Sequence, residues 1–135
     1  MLLASGAAVE HDPCGSSALH PAAVSGAGVD MVQLLLRCRA SPNCHMKPKC
    51  GPAIRVALLV LAFPYRCGSR NFWCVFAYHL FGCTPLQLAV SACNWTEARV
   101  LIDARADLEA TNGRGATPRQ VADDLGTLRM APFEF

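Results

Sequence analysis

Residues 82–112 read GCTPLQLAVSACNWTEARVLIDARADLEATN, and almost every position in this stretch has a place in a short helical hairpin. Thr84-Pro85 opens a first helix: a threonine can accept from first-turn N–H groups, and proline there lacks only an N–H that has no helical partner. Leu86, Ala89 and Val90 give this helix one apolar face, and Ala98, Val100, Leu101 and Ile102 give a second helix its own.

The unit recurs. Thr84-Pro85-Leu86-Gln87-Leu88-Ala89 aligns with Thr117-Pro118-Arg119-Gln120-Val121-Ala122 at a spacing of 33 residues, and the alanine after each second helix recurs as Ala7, Ala40 and Ala106. A period near 33 belongs to helix–turn–helix repeats. The unit resembles the ankyrin repeat, with its Gly-x-Thr-Pro-Leu-His-x-Ala-Ala opening, leucine-rich second helix, Gly-Ala turn and hairpin. Residues 15–43, GSSALHPAAVSGAGVDMVQLLLRCRASPN, carry the same resemblance, with Ser17-Ala18-Leu19-His20 at the Thr-Pro-Leu-His position and one extra residue in the 26–29 loop.

The resemblance implies an all-α ankyrin-repeat solenoid of stacked helix-turn-helix units with short hairpin loops, one repeat slot being degenerate. The expected division is a partial repeat at 1–14, a repeat at 15–49, a degenerate repeat or insertion at 50–81, a repeat at 82–112 and a terminal partial repeat at 113–135. His20 stands where the family has a histidine that hydrogen-bonds between repeat turns. Arg39 and Arg105 occupy the glycine position after the second helix, so each is expected in a left-handed conformation that L-residues adopt at a cost of about 1 kcal/mol. Leu86, Ala89, Leu101 and Ala106 are expected in the core, with Glu109 and Asn112 in solvent.

Residues 50–81 fit the period in length but not in pattern. Pro52 falls on the helix-opening proline, whereas Pro64, Cys67, Gly68 and Ser69 stand where a second helix should be. The reading is a helix from Pro52 to about Phe63 stacked as a first helix, an irregular stretch at 64–71, and loosely packed aromatics at 72–80. Such a break is expected to uncouple the repeats on either side of it.

Composition narrows function further. The chain is 135 residues long, 53% hydrophobic and 16% charged, with a net charge of +2, which supports a folded domain and gives no reason to invoke nucleic acid. Charge is uneven: no acidic residue lies between Asp30 and Glu97, while Arg37, Arg39, Lys47, Lys49, Arg55, Arg66 and Arg70 do. The eight cysteines include no CxxC pair, and Cys38, Cys44 and Cys50 with His45 have no reason to converge on a tetrahedral site, so no metal is expected. Without a basic leader at Met1-Leu2-Leu3, an intracellular, cytoplasmic setting is expected. The apolar runs 56–63 and 72–81 are too short to span a bilayer, so a membrane is not an expected partner.

No glycine-rich phosphate loop, HExxH, G-x-S-x-G or paired carboxylate set is present, so no catalysis, cofactor or small-molecule substrate is expected. The resemblance implies a module that binds another protein through hairpin tips and the concave groove. Asn43, His45 and Lys47 would lie on one finger, Glu109, Asn112 and Arg114 on another, and Val24, Ser25, Ser91 and Ala92 between them. A regulatory or docking piece of a larger enzyme is the alternative.

Overall fold

The computed structural model describes residues 17–47 and 52–132, with only the backbone at Ile54. Among them are seven α-helices and no strand: α1 (Leu19–Ser25), α2 (Val29–Arg37), α3 (Pro52–Arg66), α4 (Phe72–His79), α5 (Pro85–Ser91), α6 (Trp95–Asp103) and α7 (Pro118–Asp124), followed by a 3-10 turn, Leu128–Met130. The expected partial repeat at 1–14, with Leu2-Leu3 and Gly6-Ala7, lies outside the described residues, as do Lys49 and Cys50.

Helix starts follow local chemistry. Thr84 and Thr117 each accept from the N–H three residues on, while Gln87 and Gln120 reach back to the threonine N–H, a reciprocal cap at both α5 and α7. Ends depend on left-handed residues. Arg39 (φ 66°) and Arg105 (φ 65°) adopt that conformation, as expected, and their N–H groups bond back to Leu36 O and Ile102 O.

First helices stack on first helices and second on second, α1 packing against α5 and α2 against α6, with α7 against the far side of α5. The shared core runs through Leu19, Ala22, Ala23, Val32, Leu35, Leu86, Ala89, Leu101 and Ala106. Leucines fill it and alanines let the helices close up: burying Leu86 or Leu101 contributes about 2 kcal/mol, and anything larger at Ala89 would push α1 and α5 apart. Asn94 fastens the layer, its side-chain amide donating to Ala23 O at 2.8 Å and Val24 O at 3.1 Å.

Direct packing of α1 on α5 corrects the expectation that the Pro52 helix stacks as a first helix and that the flanking repeats are uncoupled. α3 and α4 pack chiefly on each other. The chain leaves and re-enters the stack at one point, since Met46 N–H donates to Cys83 O at 2.9 Å. Asn112 N–H makes the same bond to Ala116 O, also at 2.9 Å, in the next finger. One finger closes over residues 113–115 and the other over 47–82, an excess of 33 residues that happens to equal the repeat spacing. The length of 50–81 fits the period, yet the stacking partner of α1 is α5.

Two further expectations change. α3 continues through Pro64 to Arg66, although a proline there forfeits its bond to the carbonyl four residues back and crowds it, and Phe72–His79 is a regular helix capped by Asn71, whose side chain accepts from Trp73 N–H. Phe72 and Trp73 are nevertheless exposed, while Cys74, Val75 and Ala77 are buried.

Two outcomes are expected. Replacing residues 47–81 by Gly-Arg, the tip that the 113–115 finger uses, leaves a stack that unfolds in one cooperative urea transition; a broad or split transition would show that the stack needs the hairpin. Exchanging Arg39 and Arg105 for glycine raises stability by about 1 kcal/mol each, read as a higher urea midpoint.

Candidate functional site

The groove face is built by side chains that reach from a first helix across to the fingers. Gln87 Nε2 donates to Ala116 O at 2.8 Å and to Ala110 O at 3.2 Å, tying both arms of the 106–117 finger to α5. His20 does the equivalent one repeat earlier. Its Nδ1 accepts from Ser17 N–H at 3.1 Å, which leaves the proton on Nε2, and Nε2–H donates to Cys83 O at 3.1 Å. This is the inter-turn role expected of His20, and its bond to Ser17 N–H copies one half of the reciprocal caps of α5 and α7, the side chain reaching back three residues. Burial holds the His20 imidazole below its ordinary pKa, outweighing the opposing backbone hydrogen bonds.

The residues expected to contact a partner divide into two groups. Asn43, His45, Lys47, Glu109 and Arg114 are exposed. Two of these also hold the fingers together: Asn43 accepts from Asp107 N–H at 2.7 Å and donates to Arg105 O at 3.3 Å, and His45 Nδ1–H donates to Gly82 O at 3.0 Å.

Ser91 and Asn112 are buried, which corrects their expected exposure. Ser91 Oγ donates to Gln87 O at 2.7 Å inside α5. Asn112 is 5% exposed; its Oδ1 accepts from Arg114 and Ala116 N–H, and its amide donates to His79 O and stands 3.2 Å from His79 Nδ1. For Asn112 the reason lies in the α3–α4 hairpin, whose α4 ends at His79 on top of that finger.

His79 was not legible as a site residue, because nothing in its local pattern says that the hairpin folds back. Its Nε2 lies 3.0 Å from Asp124 Oδ2, and Tyr65, Tyr78 and Arg114 complete the surroundings, with the Arg114 guanidinium 4.9 Å from the Tyr78 ring centre. Burial lowers the His79 pKa despite Asp124, and burial followed by the Asp124 hydrogen bond pushes Tyr65 up to about 12. A cleft of about 410 Å³ opens beside this cluster, and one of about 590 Å³ lies between Leu108, Glu109, Arg119, Gln120 and Asp123. As a catalytic pair His79 and Asp124 are poorly placed: with Nε2–H on the carboxylate, Nδ1 faces the Asn112 amide, so both ring nitrogens are engaged.

A neutral, buried imidazole ties stability to pH. The unfolded chain takes up protons near 6.5, whereas folded His20 and His79 resist until lower pH. Their contribution is present above 6.5 and fades as pH falls through the folded values. The urea midpoint is expected to drop between pH 7.5 and pH 5, and His20→Gln, which copies Gln87, is expected to make that drop shallower with little loss at pH 7.5. An unaltered pH slope in the variant would exclude His20 as a source.

Comparison with known families places this geometry. No curated protein matches the chain significantly. Residues 14–47 match the family model described as the ankyrin repeat, whose members are generally protein–protein interaction modules and typically non-catalytic. The matched stretch holds α1, α2 and the first finger, and α5–α6 repeat the same left-handed turn and finger bond. Residues 14–47 are thus similar to an ankyrin repeat, and the described residues as a whole form an all-helical stack consistent with an ankyrin-like solenoid.

Proposed function

We propose that the stack binds another protein through its finger tips and the open end of its groove, with no chemical step. The observation that carries this reading is the cleft between Leu108, Glu109, Arg119, Gln120 and Asp123, where an apolar floor is rimmed by both signs of charge next to an exposed finger. His45, Lys47, Glu109 and Arg114 are the proposed contacts, with Asn43 setting the spacing of the fingers. Ser91 and Asn112 lie beneath this surface.

The same reading divides the chain into repeats at 15–49 and 82–112, partial repeats at 1–14 and 113–135, and an insertion at 50–81. Supporting the insertion is the matched pair of finger bonds, Met46 to Cys83 and Asn112 to Ala116. An intracellular, cytoplasmic setting belongs to the proposal. Cys83 supports it as a packing thiol, which burial pushes to about 12.

The test is a binding measurement on a partner recovered by crosslinking through the finger tips. Single charge reversals at Lys47, Glu109 and Arg114 each change Kd up to about fivefold, the range of exposed ion pairs, and the triple reversal by about 100-fold. Unchanged affinity in a folded triple variant would place the interface elsewhere.

A further inference from the structure

The α3–α4 hairpin wears its apolar side outward. Along α3, Leu58, Ala62 and Tyr65 are at least partly buried, whereas Val56, Leu59, Val60 and Phe63, at helical spacings of three and four, are 58%, 55%, 67% and 62% exposed. Trp73 at the start of α4 is 64% exposed. An exposed apolar stripe along one helix face marks a surface that meets something apolar.

Charge identifies the occupant. Arg55 and Arg66, eleven residues and about three helical turns apart, flank one edge of the stripe, Arg70 lies in the loop after α3, all three are exposed, and the chain has no acidic residue from 31 to 96. Two such hairpins facing each other would bring like charges together, which disfavours a second copy. A bilayer with anionic headgroups offers an apolar phase beneath a negative layer. It also needs no groove to receive a convex helix, and arginine stems can lie along the apolar side with their heads among the phosphates.

We propose that the hairpin docks on an anionic membrane surface, with Val56, Leu59, Val60, Phe63 and Trp73 entering the interface and Arg55, Arg66 and Arg70 pairing with lipid headgroups. No helix among the described residues is long and apolar enough to cross a membrane. α3, with 15 residues, is about 22 Å long against a hydrocarbon core of about 30 Å. It lies along the interface, where tryptophan is favoured, and the repeat stack remains outside to engage its partner.

The test uses the whole chain with vesicles of phosphatidylcholine alone or mixed with phosphatidylserine. Cosedimentation is expected with the mixed vesicles only, weakening as salt rises, and in a Trp95→Phe variant the emission of Trp73 shifts to the blue on binding. Val60→Asp with Phe63→Asp abolishes binding, and Arg66→Gln and Arg70→Gln weaken it about fivefold each, the share of one cation near an anionic surface. These substitutions sit at exposed positions, and circular dichroism checks that the fold is kept. Equal binding to neutral vesicles, no binding to mixed ones, or full binding by the double aspartate variant overturns the proposal. So does a concentration-dependent dimer that the double aspartate variant disperses when wild type ignores vesicles, since the stripe would then cover a second copy.

Discussion

The hydrogen bonds that leave a first helix and land on the carbonyls of the following finger are the constraint on which the rest depends. Gln87 holds both arms of one finger and His20 catches the returning arm of another. Each bond is made by a buried side chain whose other polar atom caps its own helix, so helix start, finger register and repeat spacing are set by one residue. A buried amide or imidazole deprived of such partners costs about 1–3 kcal/mol. Side chains of other lengths would detach the finger from the helix, and the exposed tips would lose their fixed spacing.

Against that constraint the position of the α3–α4 hairpin makes physical sense. It interrupts the chain at a finger tip, beyond the last bond that the stack requires, and returns through a crowded junction. Gly82 adopts φ 67°, a Cβ there would come within 2.8 Å of Gly113 N, and Gly113 N–H donates to Phe81 O at 2.8 Å. The hairpin is then held down by His79 on Asp124 and Asn112 and by Arg114 over Tyr78. A solenoid depends on nearest-neighbour packing, and an excursion that leaves α1 on α5 intact leaves that packing continuous.

What the sequence disclosed follows from how local each feature is. The Thr84 and Thr117 caps, the burial of Leu86, Ala89, Leu101 and Ala106, the left-handed Arg39 and Arg105 and the role of His20 are written within a few residues of each position, and all could be read in advance. Asn112 was misplaced because its cover comes from a hairpin more than thirty residues upstream, and Ser91 because its hydroxyl turns back onto Gln87 O within its own helix instead of facing the groove. The stacking of α1 on α5 was hidden by the length of 50–81, which fits the period. The packing of α1 on α5 and the pairing of Met46 with Cys83 reveal it.

The interrupted finger also changes the order in which contacts can form. In an uninterrupted array every interface joins neighbouring segments, so closure is local and fast. Closing a flexible tip over residues 47–82 instead of 113–115 costs about 2 kcal/mol more in chain entropy. That burden falls on the α1–α5 and α2–α6 interfaces and leaves α5–α6–α7 as the natural nucleus. A hairpin that pairs α3 with α4 early brings its own ends together and shortens the effective loop, so the element that lies outside the stack can still govern how quickly the stack is completed.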